Sequence, residues 1–332
     1  MRALVIHRYG GPDVLVLETL REPIPGPRDL LIEVHAASLN PIDFKIRAGK
    51  LHQVERYRFP VQLGCDVAGV VRQVGAEATG FAVGDEVFAR LEKHRMGGLA
   101  EMVAADCSVV ARKPAALSFV EAAAIPLAGL TSLQALTEAA ELRPGQRVLI
   151  HAGSGGVGTL AIQIARALEL EVATTTSTRN LDLVRALGAA TAIDYTQQDF
   201  TKELRDLDAV FDTLGETELA DLAVVKPGGV VVGIGGLPDE EFARARKLSL
   251  PVRLGLRVLT SRRRRAYAKA GVRFRYLFMR PDGQQLARLA AWADQGALKP
   301  VIHAIFPLSE VKAAFEELER GRARGKIVVQ IR

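Results

Sequence analysis

The hydrophobic pattern changes its period along the chain. As far as about Ser118, apolar positions come in short alternating or continuous runs, at residues 3–6, 30–34, 68–74, 86–89 and 109–110. Gly, Pro and Asp turns separate them, which predicts strands and suits a small antiparallel barrel. Residues 68–75 and 81–87 read as two strands joined by a turn, and Pro23, Pro25 and Pro27 punctuate an extended connection. Beyond Ser118 the spacing becomes helical over 119–125 and 129–142, with Pro126 and Pro144-Gly145 as breaks. From Arg147 strands are predicted at 148–150, 171–175, 192–194, 209–212 and 230–233, with helices at 157–168 and 181–187 between them. Such alternation with short turns predicts an α/β fold with a doubly wound parallel sheet.

After Gly236 the pattern weakens. Apolar positions alternate from Leu248 to Val258, yet Pro251 and Gly255 suit neither strand nor helix. A strand is predicted at 274–278, a helix at 283–293, a strand near 300–306, a helix at 309–320 and a last strand at 326–331.

The chain is organised around residues 146–166, QRVLIHAGSGGVGTLAIQIAR. Val148-Leu149-Ile150 suits a buried strand, and Val157, Leu160, Ala161, Ile164 and Ala165 recur at helical spacing. Between them stand Gly153, Gly155, Gly156 and Gly158, of which Gly153, Gly155 and Gly158 fit G-x-G-x-x-G. Glycines in this place permit a tight turn, close approach of backbone to a pyrophosphate and close packing of strand on helix. The helix start supplies N–H groups and a positive dipole end to phosphates. The pattern is read as a dinucleotide site, the alternative being a glycine-rich turn with no ligand.

An NAD-binding unit of this kind carries a carboxylate about twenty residues past the first glycine, to hold the ribose 2′-OH. Here the second strand runs into Ser177-Thr178-Arg179-Asn180, with no acidic residue before Asp182. A hydroxyl and a guanidinium suit a 2′-phosphate, so NADPH is expected over NADH; the alternative is a solvated arginine in a turn.

Composition narrows the class. The chain has 332 residues, 48% hydrophobic and 25% charged, ample for two domains. No run of about 18 apolar residues occurs, and the N-terminus reads as a first strand rather than a signal peptide. Cys65 and Cys107 are too few for a disulfide framework, and a cytoplasmic location is expected. The net charge of +6 is local in origin: residues 244–280 hold thirteen of the 44 Lys and Arg and none of the 38 Asp and Glu. A nucleic-acid-binding scaffold is therefore not expected. The basic segment has three readings, a solvated arginine face, an arm on anionic lipid through Leu248 to Leu259 with Arg262, Arg263, Arg264 and Arg265, or a nucleic-acid contact.

Further stretches carry a resemblance. Ala37-Ser38-Leu39-Asn40-Pro41-Ile42-Asp43, Leu63-Gly64-Cys65-Asp66-Val67-Ala68-Gly69, residues 81–87, Ala128-Gly129-Leu130-Thr131-Ser132, Leu187-Gly188-Ala189, Ile193-Asp194-Tyr195 and Arg324-Gly325-Lys326-Ile327-Val328 join the glycine turn. Together they resemble the medium-chain dehydrogenase/reductase superfamily, in its zinc-independent quinone oxidoreductase branch. Residues 271–278 and 321–326 are similar to the reticulon-4-interacting oxidoreductases and their bacterial relatives.

The resemblance implies a GroES-like β-barrel catalytic domain at 1–122, a Rossmann NADP(H)-binding domain at 123–265, and a segment 266–332 returning to the catalytic domain. It implies that Ser177, Arg179 and Tyr195 surround the 2′-phosphate, with Gly153, Ser154, Gly155, Gly156, Val157 and Gly158 at the pyrophosphate. Thr131, Gly233, Ile234, Leu277 and Phe278 would lie near ribose and nicotinamide. Many relatives have Lys at the place of Asn180. A homodimer is also implied. The catalytic zinc ligands of other members match Asn40, Gly64-Cys65-Asp66 and Leu127, where only Cys65 could ligate well, and no four-cysteine lobe occurs at 88–98. No metal is expected.

The expected activity is hydride transfer from NADPH to a quinone or an α,β-unsaturated carbonyl, whose charge delocalises onto oxygen so that a few hydrogen-bond donors suffice. Candidates are Asn40 and Lys45, with Asp43 orienting them and solvent or Lys45 supplying the proton. Against this, Lys45 reads equally as a surface lysine, Asn40 as a residue holding the turn before Pro41, and Tyr57 and His94 as structural. The rival functions are an enoyl-thioester reductase, and an NADPH-binding sensory or membrane-associated accessory protein with little turnover.

Overall fold

The computed structural model describes residues 1–52 and 57–332. Among them the strands are β1 (Arg2–Ile6), β2 (Val16–Thr19), β3 (Asp29–Ser38), β4 (Val61–Gln62), β5 (Asp66–Val74), β6 (Glu86–Arg90), β7 (Met102–Asp106), β8 (Val110–Arg112), β9 (Arg147–Ile150), β10 (Glu171–Thr176), β11 (Thr191–Asp194), β12 (Leu207–Asp212), β13 (Val225–Gly233), β14 (Arg273–Tyr276), β15 (Ile302–Pro307) and β16 (Lys326–Gln330). They belong to two compact units, Met1–Leu130 with Arg280–Arg332, and Thr131–Met279.

In the first unit the long strand β3 is the spine. It pairs antiparallel with β5, β7 and β16, giving the order β15-β16-β3-β5-β6-β8 with β7 on β3. A second sheet has the order β2-β1-β4. The returning helix Val311–Glu319 buries Val311, Ala314 and Phe315, a helical stripe, into the core of Leu4, Ile32, Val67 and Val329. Three strands escape the hydrophobic pattern, one of them, Val61–Gln62, being only two residues long. Val16–Thr19 has no buried residue, and Met102–Asp106 is rich in Ala rather than β-branched side chains.

In the second unit all strand pairs are parallel, in the order β11-β10-β9-β12-β13-β14. Val148, Leu149 and Ile150 are fully buried, each contributing roughly 1.5–3 kcal/mol. From β9 the chain adds β10 and β11 on one side and then β12 to β14 on the other. The reversal between β9 and β12 is the switch point at which open parallel sheets bind ligands, at the carboxyl ends of the strands.

Several expectations are corrected. Pro126 opens helix Pro126–Gln134 instead of breaking it, since a first-turn proline gives up no needed N–H, and a π-helical turn Ala135–Ala139 follows. The ambiguous stretch after Leu248 is helix Leu250–Leu259, with Pro251 in its first turn. The last helix begins at Val311, after a 3-10 turn Leu308–Glu310. The strand expected at 274–278 is Arg273–Tyr276, and it pairs with β13. Residues 266–279 therefore belong to the unit of the parallel sheet, and the return begins at Arg280; the first boundary falls at Leu130, inside a helix.

Candidate functional site

Strand β9 runs through His151 and Ala152 into the glycine turn, and helix Gly158–Ala167 leaves it. Two of the three motif glycines are held to their size by a neighbour, and the third is only crowded. A Cβ on Gly153 would stand 2.1 Å from Thr174 Oγ1, and one on Gly158 2.3 Å from the Ala152 carbonyl oxygen; one on Gly155 would be 3.2 Å from that same oxygen. The left-handed position of the turn belongs to Ala152, at φ 52°. Close backbone approach, rather than positive φ, is thus what these glycines provide, and that is the requirement of a pyrophosphate cradle at a helix start.

Ser154, Gly155, Gly156 and Val157 are half-exposed at the mouth of this turn. Ser154 Oγ accepts from Thr176 Oγ1 at 2.9 Å and from Asn180 Nδ2 at 2.9 Å. With both lone pairs engaged, its hydroxyl proton is left to donate to a phosphate oxygen. Asn180 Nδ2 also reaches Ser177 Oγ at 3.2 Å, and its buried Oδ1 has no hydrogen-bond partner. Strands β10 and β11 end side by side, Tyr195 N donating to the Thr176 carbonyl at 3.1 Å, so half-buried Ser177 and exposed Arg179 and Tyr195 come to one sheet corner. Asp194, at the end of β11, is engaged by Thr178, Thr196 and Gln197.

At the other end of the sheet, Leu277 N donates to the Gly233 carbonyl at 2.9 Å and Ile234 N to that of Asp212 at 3.2 Å, which puts the ends of β13 and β14 together. Phe278 packs on Phe242, and the Arg246 guanidinium lies 4.4 Å from its ring centre. Thr131 is buried in helix Pro126–Gln134. One feature escapes sequence reasoning: His151, 1% exposed, lies between Thr175 Oγ1 at 3.0 Å and Asp221 Oδ1 at 2.9 Å, a buried polar brace beneath the turn. Its place beside the motif was visible; Asp221 was not, because it lies 70 residues away.

In the first unit a second cluster forms where β3 ends and β5 and β16 begin. Ser38 pairs with both Asp66 and Val328, so Asn40, Asp66 and Lys326 meet in the interior. Lys326 Nζ donates to Asn40 Oδ1 at 2.5 Å and to the Leu39 carbonyl at 3.0 Å, and lies 3.8 Å from Asp66. Asn40 Nδ2 donates to Asp66 Oδ2 at 2.9 Å and to the Ser38 carbonyl at 3.4 Å. Asp66 also accepts from Ser38 Oγ and from Leu127 N. Asp43 accepts from the Asn40 backbone N–H at 2.8 Å and from Cys65 Sγ at 3.6 Å. Asn40 is 2% exposed and Asp43 not at all, and both amide protons of Asn40 are spent inside the protein. Asn40 and Asp43 are thus brought together, whereas Lys45 is exposed on helix Pro41–Arg47 and does not join them. Lys326 went unrecognised as a site residue because a lysine beside a C-terminal strand reads as a surface residue until the strand is paired.

Burial dominates the electrostatics. It pushes Asp66 up, with the Lys326 ammonium opposing, and pushes Lys326 down, with Asp66 opposing. The Cys65 thiol is pushed up, and the Asp43 carboxyl rises to about 6. Asp43 keeps its proton in the folded chain over a range where the unfolded chain has released it, so stability falls as pH climbs from about 4 to about 6. Asp43→Asn, neutral throughout, is expected to match the parent near pH 4 and to exceed it on the order of 2 kcal/mol at pH 8. Thermal unfolding across that range checks this, and a constant offset between the two proteins would refute it.

These residues do not fit a zinc ion. Of the positions matched to zinc ligands, Asn40 and Asp66 are cross-linked by a lysine ammonium and Leu127 offers only its backbone. Among the described residues no group of three His, Cys, Asp or Glu converges on one point.

The profile described as alcohol dehydrogenase GroES-like domain matches residues 26–115, and that described as zinc-binding dehydrogenase matches residues 187–329. The chain is 38% identical to the 2-methylene-furan-3-one reductase of Solanum lycopersicum, over 99% of this chain and 79% of that protein. It is 35% identical to the mitochondrial NAD(P)H oxidoreductase RTN4IP1 of Mus musculus, over 100% and 89%. The quinone oxidoreductase structure from Coxiella burnetii superposes with a TM-score of 0.86 at 34% identity, covering 100% of this chain and 99% of that one. By these full-length matches, the switch-point glycine turn and the GroES-like first unit, the chain belongs to the medium-chain dehydrogenase/reductase superfamily, in its quinone oxidoreductase branch.

Proposed function

We propose that this oxidoreductase uses NADPH in preference to NADH and reduces a quinone or an α,β-unsaturated ketone without zinc. The observation that carries the cofactor preference is the corner after β10, where Ser177, Arg179 and Tyr195 stand, where Asp194 is tied into its own loop and Asp182 lies 3.6 Å from Arg185. A guanidinium fork and a hydroxyl match a phosphate dianion, and neither replaces the carboxylate that a free ribose 2′-OH prefers. The nicotinamide, when bound, supplies the hydride. The chain's part is to cradle the pyrophosphate on the turn 153–158, orient Ser154 as a donor, and leave the proton to solvent or to the exposed ammonium of Lys45. The substrate class is supported by chemistry: without a Lewis acid to polarise an isolated carbonyl, acceptors that spread charge over a conjugated system react best. The names of the tomato and Coxiella relatives describe an enone and a quinone, two such acceptors.

The test is oxidation of NADPH and of NADH against 9,10-phenanthrenequinone, benzoquinones and short enones. Arg179→Ala is expected to raise the KM for NADPH by about 10- to 100-fold, the loss of one charged phosphate contact, while leaving that for NADH nearly unchanged. Preference of the parent for NADH would overturn the cofactor assignment, and NADPH binding without turnover on any acceptor would overturn the reductase. The same reading carries a cytoplasmic homodimer, checked by fractionation and light scattering.

A further inference from the structure

We propose that helix Leu250–Leu259, with the arginines of the next helix Ser261–Ala270, docks this protein on an anionic lipid surface. The first of these helices is turned inside out relative to its neighbours. None of its ten residues is buried, whereas helix Gly158–Ala167 buries eight. What it turns toward the unit is mixed: Arg253, its Nε shielded from solvent, and Leu256 are half-buried, and Thr260 at the helix end is buried. What it turns outward is aliphatic. Leu250, Leu254 and Val258 recur every four residues and are 63%, 53% and 72% exposed, and Val252 and Leu259 add 48% and 67%. Five large aliphatic side chains presented to water by one short helix call for a cover.

Charge selects the occupant. Residues 244–280 contain thirteen Lys or Arg and no acid, and Arg262, Arg264, Arg265 and Lys269 are exposed on the helix that follows the aliphatic one. Of the acids packed nearby, Glu240 pairs with Arg244 at 2.7 Å, Glu218 with Arg263 at 2.8 Å and Glu241 with Arg275, while Asp239 accepts from the backbone N–H groups of Phe242 and Tyr276. A second copy meeting this face across a two-fold axis would set the same cationic segment against itself, which like charges disfavour. A nucleic acid would use the cations but leave the aliphatic row in water, and the one aromatic of the second helix, Tyr267, is buried. An anionic bilayer takes both, aliphatic side chains at the acyl boundary and arginines on the lipid phosphates. None of the described helices is long and apolar enough to cross a membrane, so the contact is one of lying on the surface.

The experiment is co-sedimentation of the full chain with phosphatidylcholine vesicles containing or lacking ~30 mol % phosphatidylglycerol, at ~0.05 M and ~0.5 M salt. Binding is expected to the anionic vesicles alone and to fall at high salt. Leu254→Ser with Val258→Ser, and separately Arg262→Ala with Arg264→Ala and Arg265→Ala, are each expected to weaken it at least ~10-fold. All five side chains are solvent-exposed, and unchanged melting temperature and NADPH binding in both variants establish that the fold is intact. No sedimentation of the parent with anionic vesicles at low salt overturns the proposal, as does binding that both variants retain. A concentration-dependent dimer abolished by the serine variant, in the absence of vesicle binding, assigns the face to a second copy and overturns it too. The outcome is independent of which acceptor the enzyme reduces.

Discussion

Lys326→Met is expected to cost this protein about 3–5 kcal/mol of stability at pH 8, the loss characteristic of removing one partner from a buried ion pair. Lys326 is 4% exposed and Asp66 not at all, so neither charge has water to fall back on. The substitution removes three interactions at once, those with Asn40 Oδ1, the Leu39 carbonyl and the Asp66 carboxylate. What remains of the Asp66 environment, Asn40 Nδ2, Ser38 Oγ and Leu127 N, solvates the carboxylate, and the buried Arg90 guanidinium offsets its charge only in part. Burial already pushes Asp66 up, and without the ammonium it rises further, so the folded variant takes up a proton as pH falls. The deficit is therefore largest at alkaline pH and shrinks toward pH 5. Urea unfolding at the two pH values measures it, and Asp66→Asn added to Lys326→Met is expected to recover part of the loss at pH 8. A single-variant deficit below about 1 kcal/mol, the range of exposed pairs, would mean that the cluster is solvated and that Lys326 does not hold it.

Gly158→Ala is the counterpart in the second unit. Its Cβ would meet the Ala152 carbonyl oxygen at 2.3 Å and Gly153 Cα at 2.7 Å, both backbone atoms that cannot swing aside. The helix start must move away from the strand, and the N–H groups of its first turn, the proposed pyrophosphate donors, move with it. Overpacking of this kind costs about 1–3 kcal/mol of stability. A displacement near 1 Å of groups that position a ligand costs about 10²-fold, the expected loss in affinity for NADPH by fluorescence titration. Gly155→Ala offers the graded control, since its Cβ would lie 3.2 Å from the same oxygen and a few tenths of an ångström relieve the contact. Equal affinity of Gly158→Ala and the parent would show that this turn does not carry the cofactor.

Local information made much of the second unit legible. A strand, a glycine turn and a helix are contiguous, their periods are strong, and the corner residues Ser177 and Arg179 follow β10 directly. Helix Leu250–Leu259 is ambiguous in sequence because its apolar positions alternate as a strand's do while Pro251 and Gly255 suit neither period, and the proline is tolerated only because it falls in the first turn. The candidate catalytic residues show the limit most clearly. Asn40 and Asp43 were recognisable as a short loop-to-helix motif, but what they do is set by Asp66, 26 residues from Asn40, and by Lys326, 286 residues away. Lys45 shares their sequence neighbourhood and not their surroundings.

By itself, then, the amino-acid sequence determined the α/β class, the parallel sheet, the place of the glycine turn between strand and helix and the absence of an acid at the end of the second strand, because each is written in residues a few positions apart. Only the tertiary structure decided that Lys326 is a buried cation between Asn40 and Asp66, that His151 braces the turn against Asp221, that residues 266–279 belong to the unit of the parallel sheet, and that one helix presents aliphatic side chains to solvent. The physical reason is the same in each case. Charge, burial and pairing depend on which distant strands become neighbours, and pairing across hundreds of residues leaves no period in the chain.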